Sequence, residues 1–240
     1  MKKLATLTFL SLSLGACQKG QAPEPTAKPT IVEYADWYAL RAPENRAIEA
    51  ATGDLDGVLT IATSFTVYQT KDRGRTWQTG NYADRIGIFG FQQQQDSLLA
   101  LTTAAGTSSN TSTQYATQPS VFSLDQGLTW KCYRDWRPSL QLRVGRNRAT
   151  AASGTEYSIE YKETPVSPNS SSKYIESVAV QTSTGQRLLL PQQHQLTSLY
   201  FDAKSRLYVT ASAPFCGQLP DFRFCDDHHG ILYVSKKPQL

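Results

Sequence analysis

Two copies of one eight-residue pattern constrain this chain more than anything else in it: Thr70-Lys71-Asp72-Arg73-Gly74-Arg75-Thr76-Trp77 and Ser123-Leu124-Asp125-Gln126-Gly127-Leu128-Thr129-Trp130. Both read S/T-x-D-x-G-x-T-W, and Asp72 and Asp125 stand 53 positions apart. A pattern with five fixed positions recurring at about 50 residues marks a propeller or another array of repeated sheets. Each copy follows a strand-like run, Val67-Tyr68-Gln69 or Val121-Phe122. A tight turn at such a point leaves backbone N–H groups without ladder partners, and a short carboxylate accepts from them. The glycine supplies a positive φ. Thr returns the chain to a strand, and Trp buries a large ring with its N–H beside a polar turn. Asp72 and Asp125 are therefore read as structural.

These residues resemble the Asp-box, or BNR repeat, of β-propeller proteins such as sialidases and photosystem assembly factors. The resemblance covers Thr70, Asp72, Gly74, Thr76 and Trp77, then Ser123, Asp125, Gly127, Thr129 and Trp130. It implies a box joining the third and fourth strands of a blade, on the face opposite the ligand site. It implies architecture far more than activity, since one fold hosts many functions.

Two worn copies complete a series. Val178–Gln186 keeps a strand, Thr182 and Gly185; Gly230–Ser235 keeps a strand and Ser235. The hydroxyl positions 70, 123, 182 and 235 are spaced by 53, 59 and 53, which predicts four units. Ahead of each, runs rich in Val, Ile, Leu and Thr predict a further hairpin. These are Ile48–Ala51 with Val58–Thr63, Ile86–Phe91 with Leu98–Thr103, Leu140–Val144 with Ala149–Ser153, and Leu196–Phe201 with Leu207–Ala211. No helix is expected. The last unit lacks a final strand, and an orphan strand, Ile31–Leu40 with Trp37, precedes the first. Pairing the two would close the ring and remove both exposed edges. The expected fold is an all-β, four-bladed propeller sealed by its N-terminal strand, with a five-bladed or incomplete ring as the alternative.

Lys2 and Lys3 before the apolar run Leu4–Leu14 read as a secretory signal peptide over residues 1–16. Leu14-Gly15-Ala16-Cys17 resembles a bacterial lipobox with Cys17 as the acylated residue, and Gln18 after it favours outer-membrane sorting. An ordinary signal peptide with an incidental cysteine is the alternative. Residues 17–30 carry three prolines and no large apolar side chain, an extended tether reaching about 40 Å at roughly 3.1 Å per residue. Residues 31–240 form one domain. The formal charge of +4 falls to +2 once Lys2 and Lys3 leave, and no Lys/Arg cluster marks a nucleic-acid partner. Cys216 and Cys225 bracket one loop and are expected to pair in an oxidising compartment. Cys132, two places after Trp130, is expected as a buried free thiol.

Variation concentrates in the connections before the box-bearing strands: Ala104–Pro119, Gly154–Lys173 with Tyr157 and Tyr161, and the cysteine loop with Phe215, Phe222, Arg223 and Phe224. Such loops emerge away from the boxes, where binding residues concentrate. Tyr157, Tyr161, Phe215, Phe222, Arg223 and Phe224 are the candidate partner contacts; alternatively the Phe cluster only packs around the disulfide. Asp226-Asp227-His228-His229 lacks a second ligand cluster at zinc spacing, so it reads as a polar loop with no metal. Glu156, Glu160, Asp221, Asp226 and Asp227 are carboxylates in these loops, but nothing pairs them across a glycosidic bond. Arg85-Ile86 is followed by Gly87, unlike the Arg-Ile-Pro of sialidases, so that activity does not carry over. Neither catalytic residues nor a cofactor are assigned. The expected function is a non-enzymatic, lipid-anchored propeller of the cell envelope that binds a protein through its variable loops. An immunity lipoprotein capping a periplasmic effector and an envelope assembly factor are its two concrete forms. The alternative is a glycan-binding or glycoside-hydrolysing propeller.

Overall fold

A computed structural model describes residues 30–133, 142–217, 223–225 and 227–239. The expected signal peptide, Cys17 and the tether up to residue 29 lie outside the described residues. Two strands open the chain, β1 (Ile31–Glu33) and β2 (Trp37–Arg41). Blade 1 follows as β3 (Ala50–Gly53), β4 (Leu59–Thr63), β5 (Thr66–Thr70) and β6 (Gln78–Thr79). Blade 2 is β7 (Gly90–Gln94), β8 (Ser97–Ala105), β9 (Tyr115–Ser123) and β10 (Lys131–Cys132), with β11 (Arg143–Gly145) added along β9. Blade 3 is β12 (Arg148–Thr150), β13 (Glu156–Pro165), β14 (Lys173–Thr182) and β15 (Arg187–Leu188). Blade 4 is β16 (Leu196–Phe201), β17 (Leu207–Ala211) and β18 (Ile231–Ser235), to which β2 and then β1 add. These four antiparallel sheets form a four-bladed β-propeller, with no α-helix among the described residues.

The ring closes through its N-terminal strand. β18 pairs with β2 from Ile231↔Arg41 to Ser235↔Trp37. The expected single strand 31–40 is instead a hairpin, with β1 outside β2. Trp37 stands in register where Trp77 and Trp130 stand in blades 1 and 2. Gln69 pairs with Gln78 and Phe122 with Lys131, so one step further the hydroxyls of Thr70 and Ser123 face Trp77 and Trp130, as Ser235 faces Trp37.

The packing shows the same equivalence. Trp77 packs on the cluster of Leu40, Tyr208, Leu232 and Val234, shared between blade 1 and blade 4 behind it. Trp130 packs against the cluster in which Ala62 and Val67 of blade 1 meet Phe91 and Val121 of blade 2, and Trp37 joins Tyr157, Ile159 and Val180 of blade 3. Trp37 meets Tyr233 edge-on with ring centres 6.2 Å apart. Each tryptophan thus glues its blade to the preceding one, burying the ring away from water.

Two segments depart from expectation. The hairpin expected of Leu140–Val144 with Ala149–Ser153 does not form between its described residues, Leu140 and Gln141 lying outside them: β11 pairs with β9 of blade 2, while β12 opens blade 3. Arg146 and Asn147 carry the chain across. Arg146 reaches Glu49 at 2.7 Å, and Asn147 accepts from the Gln114 amide while donating to the carbonyls of Ser109 and Ser112. The supposed insert after Gly154 is the long β13–β14 hairpin, in which Tyr157, Ile159 and Tyr161 alternate with polar residues and point inward.

Candidate functional site

The two complete corners satisfy themselves. Thr129 donates its amide and hydroxyl to Asp125 at 2.8 and 2.7 Å, Leu128 donates its amide at 3.1 Å, and the Ser123 hydroxyl donates at 2.7 Å. The Gly127 amide returns to Ser123 Oγ at 2.8 Å. Asp72 accepts from the Thr70 hydroxyl and from the Thr76 amide and hydroxyl, and the Gly74 amide returns to Thr70 Oγ1. Hydrogen bonds from the Thr76 hydroxyl and amide hold the Asp72 carboxyl down at about 2. Burial pushes Asp125 up, but its bonds to Thr129 and Ser123 outweigh that and leave it low.

Gly74 and Gly127 have φ of 84° and 106°, and each follows a residue that also has positive φ, Arg73 or Gln126. Gly127 also sits where a Cβ would fall 2.8 Å from Thr60 of blade 1, so the corner is a docking piece between blades. The Trp130 indole donates to the Gly127 carbonyl at 2.9 Å, whereas the Trp77 indole N–H is buried without a partner among the described residues. In the worn corner, the Thr184 hydroxyl meets that of Thr182 at 2.8 Å where the aspartate would be. There the Gln186 amide, rather than that of Gly185, returns to Thr182.

The β5–β6 corner and the β3–β4 turn share one side of the ring, since Arg73 reaches Asp56 at 3.3 Å. Strand alternation puts the β8–β9, β13–β14 and β17–β18 connections on the other side, the loop face. There the disulfide Cys216–Cys225 pins the last connection. Phe215 bridges Phe224 through the backbone, and their rings lie 5.3 Å apart. Asp227 accepts two bonds from Arg41 at 2.8 and 3.1 Å, and His229 meets the Ala42 carbonyl. This ties the loop to the closing strand.

Between this loop and β14 opens a cleft of about 250 Å³ lined by Tyr174, Ile175, Glu176, Ser177, His194 and Phe215, among others. Tyr174, Ile175 and Phe224 are 38%, 40% and 45% exposed. His194 forms the floor, with Nδ1 2.8 Å from the Ser212 carbonyl and Nε2 2.8 Å from the Tyr233 hydroxyl. A carbonyl only accepts, so Nδ1 carries the proton and neutral Nε2 accepts from Tyr233. Burial drives His194 down to about 4, against the pull of that carbonyl.

The structure divides the sequence-derived candidates. Phe215 and Phe224 meet at the cleft, beside exposed Arg223, whose carbonyl accepts from the Cys216 amide. Phe222 lies outside the described residues. Tyr157 and Tyr161 are corrected: at 3% and 5% exposure they belong to the core, because their stretch is a strand whose alternate side chains face blade 4. Cys132 is also corrected, being free but exposed, on the two-residue edge strand β10. Sequence reasoning missed Tyr174, Ile175, Glu176 and His194. The adjacent apolar pair Tyr174-Ile175 was a usable signal, since a strand with one wet face should not carry both; His194 was hidden in a run of glutamines.

Among the loop carboxylates, Glu156 pairs with Arg148 and Glu160 with Arg187, both at 2.6 Å. Asp221 and Asp226 lie outside the described residues, and no metal-binding cluster occurs among the described ones.

No family model matches the sequence, and no curated protein matches it. Among solved structures the chain is similar to YCF48 from Cyanidioschyzon merolae, with 10% identity and a TM-score of 0.27, over 80% of this chain and 74% of that one.

Proposed function

We propose that this chain is a non-enzymatic binding propeller with corners of the Asp-box kind, recognising a protein partner on its loop face, at the cleft between blades 3 and 4. One observation carries the reading: Tyr174, Ile175 and Phe224 are large, apolar and substantially exposed around a cleft walled by a disulfide-pinned loop. Apolar anchors on a rigid rim, with a polar surround, are what protein interfaces use. The opposite face offers corners whose carboxylates are already paired. A glycan would call for several converging polar groups; Glu176, Ser177, Gln193, His194 and Gln195 do line this cleft, but the surface it presents is mostly apolar.

The lipid anchor at Cys17 belongs to the same reading, with the chain held at the cell envelope. The Thr30 carbonyl accepts from the Arg41 amide, at the loop-face end of blade 4. A tether of about 40 Å leaving there would keep the cleft within reach of membrane-associated proteins. Immunity against a periplasmic effector and assembly of an envelope complex remain the two forms this function takes. Cross-linking of the full chain in envelope preparations, compared with a Tyr174→Ala/Phe224→Ala variant, tests it. One specific cross-linked protein lost in the variant supports the reading. A cross-link that survives the double substitution, or glycan binding without any protein partner, would refute it.

A further inference from the structure

Among the described residues, the cleft borders a strand edge that no other strand pairs, unlike the matching edge of blade 2. β13 and β14 pair with Thr164 opposite Tyr174 and Glu163 opposite Ile175, and the Val166 amide donates to the Ser172 carbonyl at 3.0 Å. Antiparallel ladders alternate hydrogen-bonded and non-bonded pairs. Counting from Val166 and Ser172, the backbones of Tyr174 and Glu176 bond to β13, while those of Lys173 and Ile175 point outward. β15 covers β14 only at Val180 and Gln181. The outward groups of Lys173 and Ile175 meet no backbone partner among the described residues.

Elsewhere the chain covers such edges. In blade 2 the same stretch of the third strand is paired by β11, through Arg143↔Thr117, Val144↔Ala116 and Gly145↔Tyr115. On β13, Asn110 acts as a stand-in peptide: its Nδ2 donates to the Tyr161 carbonyl and its Oδ1 accepts the Tyr161 amide, both at 2.7 Å. Open edges are a liability that folds usually blunt; this one is left beside an apolar cleft.

We infer that the outer edge of β14 at Lys173–Ser177 accepts an extended segment of the protein partner as an added strand. This rests on the loop-face reading above and specifies its chemistry. The main chain of the segment pairs with Lys173 and Ile175, as β11 pairs with β9, and one of its apolar side chains enters the cleft against Ile175 and Phe215. Lys173 is paired with Glu163 at 2.5 Å, but Glu176 lines the cleft without an ion pair among the described residues. The complementary segment therefore carries a Lys or Arg next to its apolar anchor. Strand addition of this kind takes affinity from the main chain and specificity from alternate side chains.

The test pans a phage-displayed library of random twelve-residue peptides against the full chain and measures the enriched sequences as synthetic peptides by fluorescence polarisation. The expected peptides alternate apolar residues with Lys or Arg. Ile175→Pro removes an outward amide and no β13 bond; it should weaken them at least tenfold, with Ile175→Val within about threefold. N-methylation of the peptide amide facing the edge should have the same effect on the unaltered protein, so the test survives if Ile175→Pro does not fold. Glu176→Lys should disfavour the cationic peptides by at least fivefold. No enrichment, or peptides that bind Ile175→Pro and tolerate N-methylation, would overturn the inference. Peptides lost with Phe224→Ala but indifferent to both edge changes would leave the loop-face reading standing and remove strand addition. Peptides indifferent to all of these changes would remove both.

Discussion

Around Asp125 the hydroxyls of Ser123 and Thr129 and the amides of Leu128 and Thr129 all find one carboxylate within four residues, whereas at Ile175 the amide of a ten-residue strand points away from its hairpin partner and meets no backbone partner among the described residues, beside an apolar cleft. Both sites lie at the third strand of a blade, on opposite faces of the ring. The difference teaches where this chain has fixed its scaffold and where it has left bonding capacity unused. A carboxylate accepting four hydrogen bonds has nothing left to offer a ligand. The edge at Ile175, which meets no backbone partner among the described residues, has main-chain capacity available beside the exposed ring of Tyr174.

The closed side should be the more costly to disturb. Trp37→Ala removes a ring that is 6% exposed from the seam between blades 3 and 4, and should cost about 3–5 kcal/mol in urea unfolding. A loss below about 1 kcal/mol would mean that Trp37 does not do for blade 4 what Trp77 and Trp130 do for blades 1 and 2.

Beneath the open cleft, His194 provides a pH signature. Its folded pKa, about 4, lies below the ordinary 6.5, so the unfolded chain binds the proton more readily. Its contribution is therefore fully present above pH 6.5 and lost as pH falls toward 4, a swing on the order of 3 kcal/mol. His194→Gln should flatten unfolding free energy across that window; an unchanged slope would show that His194 titrates normally.

Asp125→Ala should cost about 2 kcal/mol, since it strands the amides of Leu128 and Thr129 and the Ser123 hydroxyl. Asp72 adds a pH dependence of the same sign. Its depressed carboxyl stabilises above about pH 4 and loses that effect as pH falls through 2. The stability gap between the unaltered chain and Asp72→Ala should accordingly narrow from pH 5 to pH 2. A constant gap would mean that the corner does not depend on the charge.

The smallest stability effects belong to the loop face. Tyr174→Ala and Phe224→Ala should each change unfolding by less than about 1 kcal/mol, because both rings are more than a third exposed. Their effect should appear in binding. Large destabilisation from either would make these rings part of the scaffold and erase the contrast between the faces.

How far the sequence reaches can be argued from the same residues. The ring was legible because Asp72, Gly74, Asp125 and Gly127 answer local demands of a turn, and local demands leave local patterns. Closure was legible because Trp37 was the missing member of a series. The disulfide followed from two cysteines in one loop, and it is present. Blade 3 was harder to read. Its corner keeps the hydroxyl but shifts the glycine by one place, and its second strand reads as a polar connection even though Tyr157, Ile159 and Tyr161 alternate cleanly. The cleft is assembled from β14, the segment before β16 and the cysteine loop, segments distant in sequence, so no short pattern could announce it. Only the adjacent Tyr174 and Ile175 hinted at an exposed apolar surface.

Residue-resolved amide hydrogen exchange on the full chain tests the contrast most directly, because protection reports bonding rather than position in a strand. The account predicts slow exchange for Gly74, Gly127 and Thr129 in the corners and for Tyr174 and Glu176 in β14, with fast exchange for Ile175 between them. Ile175 as protected as its two neighbours, or corner amides exchanging as freely as an open loop, would contradict it.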